Sequence, residues 1–285
     1  MHVETFFEPV TQTLTHVVSE GRDAVVIDAV LDYDPAASQT STSSLEQLAA
    51  YVRGQGLAVH WALETHPHAD HLSGGAWVAR HLGAKTAIGA RIVEVQAVFK
   101  DIYQLDFAID GSQFDRLLAD GDVIEAGALR VEVIATPGHT PACVTYHAGD
   151  AIFTGDALFA DDYGTGRCDF PRGSPPDLYD SIRRLYALPD ETRVFPAHDY
   201  QPGGRALVTS TTIGRSKASN VQLSATTARD AYVAFRRERD ATLSAPRLLW
   251  PSVQINLDGG RLPASRVLHL PINRARATDD DGTAR

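Results

Sequence analysis

Residues His66-Pro67-His68-Ala69-Asp70-His71 constrain this chain more than any other stretch. Four metal-capable side chains fall within six positions, directly after the mostly apolar run Leu57-Ala58-Val59-His60-Trp61-Ala62-Leu63. Two histidines separated by one residue on an extended segment point to the same side. The turn that follows brings Asp70 and His71 round to the neighbouring side. Imidazole and carboxylate are ligands for zinc, iron or manganese. Any one of these residues alone reads as part of a polar surface loop. No common structural need packs all four together.

Three later segments repeat one form, a strand end followed by a ligand-capable residue. Val133-Ile134-Ala135-Thr136-Pro137-Gly138-His139 sets His139 on a turn that glycine permits. Ile152-Phe153-Thr154-Gly155-Asp156 sets Asp156 just past an apolar strand, and Val194-Phe195-Pro196-Ala197-His198 does the same for His198. Strand ends with short turns are rigid supports, which metal ligands need. Each segment alone is weak, because a Gly-His or Gly-Asp turn is more often structural. Their order behind the histidine loop makes the set strong.

Composition narrows the partners. A chain of 285 residues with 44% hydrophobic and 22% charged residues has the make-up of a globular protein with a substantial core. A net charge of -10 argues against a nucleic-acid partner. It also means that an anionic substrate would need a local cationic patch. With only two cysteines, Cys143 and Cys168, a reducing compartment fits and a disulfide framework does not. Cys143 reads as core, and Cys168 as a small buried residue rather than a nucleophile. His60, His81 and His147 lie in or beside regular elements without ligand company. The start, Met1-His2-Val3-Glu4-Thr5, lacks a signal-peptide pattern, and no apolar run approaches the ~18–20 residues of a membrane span. The expectation is a cytoplasmic enzyme with no membrane partner.

Local patterning predicts strands at 14–18 and 24–27, then a polar loop from Asp34 to Ser44. Ser43-Ser44-Leu45-Glu46 reads as a capping box with Ser43 as N-cap, ahead of a helix that stops near Gly54. A short helix over 74–82, a strand over 85–88 and a helix over 90–99 follow. Hairpin-like pairs are expected around Gly127 and at Gly149-Asp150. Ser174 as N-cap and Pro175 as first residue open a helix with Leu178, Ile182, Leu185 and Leu188 on its buried face. Residues 223–243 read as a longer, charged helix. The simplest division is a single domain over 1–275, with a C-terminal extension from about 205 and a disordered tail over 276–285.

The set His66-Pro67-His68-Ala69-Asp70-His71, His139, Asp156 and His198 resembles the metallo-β-lactamase superfamily. The resemblance covers roughly residues 10 to 200. It implies an α/β fold of the αββα sandwich type, two facing mixed sheets flanked by helices, with ligands on loops at one edge. Within that superfamily, three segments look like the persulfide dioxygenase branch, the relatives of the ethylmalonic encephalopathy protein. They are Gly164-Thr165-Gly166-Arg167-Cys168-Asp169-Phe170, His198-Asp199-Tyr200, and Thr212-Ile213-Gly214 before Lys217-Ala218-Ser219-Asn220. The stretch Leu249-Trp250-Pro251-Ser252-Val253-Gln254-Ile255-Asn256 resembles the tail of bacterial members.

That branch implies oxidation of glutathione persulfide by O₂ to sulfite and glutathione at one Fe(II) per chain. Carried over by motif position, the catalytic ligands are His68, His139 and Asp156. His66, Asp70, His71 and His198 are then outer partners of the iron, or a second metal site. Arg167 is the first choice to grip a glutathione carboxylate, with an ion pair to Asp169 or Asp161 as the competing reading. Tyr200 and Lys217 are further substrate-binding candidates. The resemblance also implies a homo-oligomer. The alternative is a glyoxalase II-type thioester or lactone hydrolase with zinc or a dinuclear centre. A metal-dependent redox sensor without turnover is the non-enzyme reading.

Overall fold

The apolar strands assemble into two mixed six-stranded sheets packed face to face. The computed structural model describes residues 1–269. The expected tail over 276–285 lies outside the described residues. The first sheet draws on β1 (His2–Glu8), β2 (Thr13–Glu20) and β3 (Asp23–Ile27). A small sheet follows from β4 (Val30–Asp34), β5 (Gln39–Ser41) and, later, β7 (Leu72–Ser73). Helix α1 (Ser43–Gly54) leads into β6 (Ala58–Leu63), and α2 (Gly75–Leu82) into β8 (Lys85–Gly89). Helix α3 (Ile92–Tyr103) precedes β9 (Arg116–Leu118), which closes the order β1-β2-β3-β6-β8-β9.

The second sheet contains β10 (Val123–Ala126), β11 (Leu129–Ala135), β12 (Val144–Ala148), β13 (Ala151–Gly155), β14 (Arg193–Pro196) and β15 (Thr211–Thr212), side by side in that order. Helix α4 (Pro175–Leu185) crosses from β13 to β14, which makes that pair parallel. After β15 come α5 (Ile213–Ser219), α6 (Arg229–Asp240) and α7 (Leu249–Asn256). No helix among the described residues is long and apolar enough to cross a membrane.

Burial explains the layering. Val25, Ile27 and Leu63 meet Val131, Tyr146, Phe153 and Phe195 between the sheets. Strand β3 is buried along nearly its whole length, and so reads as a continuous apolar run rather than an alternating one. Leu45, Leu48 and Val52 pack α1 on the outer face of the first sheet. Leu178, Ile182 and Leu185 pack α4 on the outer face of the second, each fully buried. Each such side chain contributes roughly 1.5–3 kcal/mol, so a charge at Ile182 would detach the helix. The αββα expectation is met.

Local details differ from the sequence reading. The N-cap of α1 is Thr42, not Ser43, and its side chain caps no backbone N–H. Thr42 Oγ1 instead donates to Glu46 Oε1 at 2.6 Å, while Asp32 accepts from Ser44 N at 2.9 Å. The loop expected over 34–44 contains β5, and β1 arises where no strand was expected. The long helix expected over 223–243 contracts to α6; ahead of it Asn220 Oδ1 accepts from Gln222 N and Leu223 N, and Thr227 Oγ1 accepts from Ser224 N. Ser174 does cap α4, accepting from Asp177 N at 3.3 Å.

Candidate metal centre

Sheet topology brings the ligand residues together. In the second sheet β12 reverses between β11 and β13, and β14 is parallel to β13. Strands β11, β13 and β14 therefore run the same way and end at one edge, where His139, Asp156 and His198 follow. Strand β6 delivers the histidine loop to the same place from the facing sheet. The register of β13 against β14 shifts between Phe153 and Gly155. Gly155 has a φ of +54°, and a Cβ there would lie 2.4 Å from Thr65 Oγ1. Gly166 lies so close to Asp156 that a Cβ would meet its carbonyl oxygen at 1.9 Å. Only glycine allows the Asp156 turn to nest against both the histidine loop and the 164–170 segment.

The geometry forms three groups of candidate ligands among the described residues, two of which adjoin at Asp156. His66, His139 and Asp156 make one, with ligand atoms within 4.8 Å of one another. Asp156 Oδ2 lies 3.9 Å from His66 Nε2 and 3.7 Å from His139 Nε2. His68, Asp70, His71 and His198 make another, again within 4.8 Å. Asp156 Oδ1 reaches toward this group, 3.5 Å from His198 Nε2. The motif reading joined His68 to His139 and Asp156; the structure places His66 there instead. His68 Nε2 lies toward Asp28 Oδ1 at 3.0 Å and Glu64 Oε2 at 3.6 Å, on the side of a third cluster, Asp28, Glu64 and His68.

Neighbouring groups set the tautomers. Thr65 Oγ1 donates its hydrogen to Asp28 Oδ2 at 2.8 Å, so His66 Nδ1 is the donor to Thr65 Oγ1 at 3.0 Å. His139 Nδ1 donates to the Arg167 carbonyl at 2.6 Å. In both rings the Nε2 lone pair is left facing Asp156, as a metal ligand requires. Thr13 Oγ1 sits 3.4 Å from the Nδ1 atoms of both His71 and His198. Buried Nε2 atoms of His66, His71 and His198, both ring nitrogens of His68, Oδ1 of Asp156 and Oε2 of Glu64 have no hydrogen-bond partner. Buried polar atoms left unpaired this way are costly. A cation bound in one of these groups would satisfy that group's atoms, so the residues present fit a metal.

Charges follow from burial and proximity. Burial pushes His66 and His68 well below the ordinary histidine pKa, which favours the neutral, ligating form. Burial also raises Asp156, against the pull of His198 and His139. For His198 burial opposes the charge, but Asp70 and Asp156 more than offset it and lift the pKa to about 9. Asp70 is held well below the usual carboxylate range, burial being outweighed by His198, whose Nε2 lies 3.0 Å from Asp70 Oδ2.

A cleft of about 320 Å³ opens over this centre, with His139, Asp156 and Asp70 in its floor and Phe159, Tyr163 and Tyr200 in one wall. Tyr200 stacks on His198, ring centroids 5.3 Å apart. Arg167 also borders the cleft, but its guanidinium is engaged. Nε and Nη2 donate to both oxygens of Asp169 at 2.6 and 2.5 Å, and Nη1 donates to the Ser244 carbonyl at 2.9 Å. The competing ion-pair reading with Asp169 is the one the geometry supports. Lys217 is not in the cleft wall; its Nζ donates to Asp190 Oδ1 at 2.6 Å. Cys143 and Cys168 are buried, and burial raises both thiols, Cys143 to about 12.

Some participants were not singled out from sequence. Asp28, Glu64 and Thr13 carry no motif spacing and are recognised only by contact. Asn256 belongs to the tail segment noted for its resemblance, yet nothing in that pattern tells that its amide reaches the histidine loop.

Comparison with known proteins agrees with this arrangement. The family model described as Metallo-beta-lactamase superfamily matches residues 9–198. The chain is 46% identical to a probable metallo-hydrolase of Burkholderia pseudomallei, over 96% of this chain and 99% of that protein. It is 44% identical to the beta-lactamase hydrolase-like protein of Agrobacterium fabrum over 92% of its own length, but spans only 61% of that relative. Human persulfide dioxygenase ETHE1 is 35% identical, over 68% of this chain and 66% of the relative. The crystal structure of ETHE1 from Myxococcus xanthus superposes with a TM-score of 0.74 at 30% identity, covering 92% of this chain and all of the other.

Proposed function

The chain belongs to the metallo-beta-lactamase superfamily, and from that premise we propose that it is a mononuclear Fe(II) persulfide dioxygenase acting on glutathione persulfide. The reaction consumes persulfide, O₂ and water, and yields thiol, sulfite and two protons. The observation that carries this reading is the group His66, His139 and Asp156, two imidazoles and one carboxylate, with His139 and Asp156 facing the cleft. Such a facial set leaves positions open to ligands on its far side. Likeness to the human and Myxococcus proteins named ETHE1 points the same way.

Iron held there would supply a centre at which a sulfur donor and dioxygen exchange electrons in contact. The chain's own residues do the rest. Thr65 and the Arg167 carbonyl hold the two imidazoles in the ligating tautomer. Apolar walls from Phe159, Leu243 and Leu248 shield the reacting end of the substrate from bulk water. Burial keeps the Tyr200 phenol protonated, so it can donate a hydrogen bond into the cleft beside Asp156.

The second reading is a dinuclear thioester or lactone hydrolase. Its support is the four-residue group beside the first, together with the hydrolase names of the Burkholderia and Agrobacterium relatives. Metal analysis of anaerobically purified protein, paired with sulfite formation from glutathione persulfide, separates the two. About one iron per chain with O₂-dependent sulfite is expected. About two metals per chain with thioester cleavage and no sulfite would overturn the dioxygenase.

A further inference from the structure

The cleft wall opposite the metal loop is built from residues beyond the family-matched span of 9–198. Gln222, Arg236, Arg239, Leu243, Arg247 and Leu248 all come from the C-terminal segment. The rest of the lining, including Val10, Tyr33, Phe159 and Tyr163, comes from the family-matched span, so the two parts of the chain share the cleft. Four arginines border the cleft, and they divide into two kinds. Arg167 is tied to Asp169 and the Ser244 carbonyl. Arg236 is buried, with Nε and Nη2 on Asp240 and Nη1 on Thr165 and Gln222. Neither has charge left to offer. Arg239, in the last turn of α6, and Arg247, on the segment before α7, are exposed and have no acidic partner among the described residues.

Both guanidinium groups border the one cleft. In a chain of net charge -10 they are a local exception. Arg247 also borders an adjoining hollow of about 490 Å³ and shares it with Val10, Thr11, Tyr33 and Leu248. The space therefore runs from Asp156, past Arg239 and Arg247, into a second chamber. A bare inorganic sulfide would not fill it.

We infer that Arg239 and Arg247 anchor the carboxylates of an extended, peptide-like thiol, whose sulfur end then reaches the His66–His139–Asp156 group. Guanidinium recognises carboxylate through paired hydrogen bonds as well as charge. This rests on the dioxygenase reading for the direction in which the sulfur points, and replaces Arg167 as the carboxylate site. A phosphate-bearing thiol such as coenzyme A offers anions too, so the ligand's source must be part of the test.

The experiment is calorimetric titration of the iron-loaded, full-length protein under argon with reduced glutathione, glutathione diethyl ester and coenzyme A. Wild type is compared with Arg239→Gln, Arg247→Gln, the double variant and Arg239→Lys. Each glutamine variant should bind glutathione roughly fivefold more weakly, and the double variant more than tenfold. Arg239→Lys should recover part of its loss. The ester should bind wild type as weakly as glutathione binds the double variant. Affinity of wild type should fall with added salt, and that of the double variant should not. Equal glutathione affinity in wild type and double variant, equal affinity for the ester, or arginine-dependent binding of coenzyme A tighter than of glutathione would each overturn the inference. Sulfite formation is assayed separately. Arginine-dependent binding without sulfite refutes the dioxygenase alone; sulfite with arginine-independent binding refutes the anchors alone.

Discussion

The side-chain amide of Asn256 donates to the carbonyl oxygen of His68 at 2.8 Å. The same nitrogen donates to the His71 carbonyl at 2.8 Å, and Oδ1 accepts from Ser73 N at 2.8 Å. One buried amide from α7 thus fastens both ends of the ligand turn. The donors and acceptors match one by one, with Asn256 supplying what the loop backbone lacks.

Asn256→Asp keeps the shape and the Ser73 bond but sets a carboxylate against two carbonyls. Loss of the donors should cost about 1–3 kcal/mol and weaken metal binding roughly 10- to 100-fold. Chelator competition against the wild type measures it. A purely structural role would lower the melting temperature and leave metal affinity in the folded fraction unchanged.

His66→Ala should remove iron and sulfite formation together, because it deletes one of three ligands on the cleft side. His68→Ala should act differently, since that ring packs against Asp28 and Glu64 and leaves two buried carboxylates without it. Glu64 is already pushed well above its ordinary pKa by burial and by Asp28, so the expected loss is in folding. Asp70→Asn should keep about one metal per chain if the centre is mononuclear. Metal counts and melting curves for the three variants decide; iron retained in His66→Ala would discard the proposed group.

The motif residues were legible because ligands must sit at fixed steps after strand ends. Strand order then fixes which edge they share, and both facts are visible as spacing. What stayed hidden depended on distance across the fold. The exchange of His66 for His68 was hidden, as was Asp28, 40 residues upstream of His68 and recognisable only as the neighbour of its Nε2. Lys217 looked free in one dimension and is paired with Asp190 in three, while for Arg167 the sequence left substrate contact and a pair with Asp169 both open. The Thr42 cap shows the same limit, since Asp32 draws Ser44 away from the capping box.

Arg167→Ala should act through position rather than direct contact. The guanidinium ties Asp169 to the Ser244 carbonyl, on the segment that leads to Arg247. Releasing that segment should raise KM for glutathione persulfide a few-fold and increase protease sensitivity near residue 244. Arg167→Lys should not restore the bidentate bond. Limited proteolysis alongside O₂ uptake is the check. A raised KM with an unchanged cleavage pattern would mean that Arg167 contacts substrate after all.

A last expectation concerns acid. His16 is buried between Phe153 and Phe195, with Nε2 donating to the Pro196 carbonyl at 2.9 Å and Nδ1 3.0 Å from Thr5 Oγ1. Burial lowers its pKa from 6.5 to about 4, against the smaller pull of Pro196 and Asp28. Between those values the unfolded chain takes up a proton that the folded chain refuses, so stability falls as pH falls. The contribution is fully present above pH 6.5 and lost as the pH descends to about 4. At ~1.4 kcal/mol per pKa unit the loss reaches roughly 3 kcal/mol. Urea unfolding at pH 7 and pH 5 should show it, and His16→Gln, lower in stability at pH 7, should show a flatter dependence. Parallel pH profiles for wild type and variant would mean that other groups govern acid sensitivity.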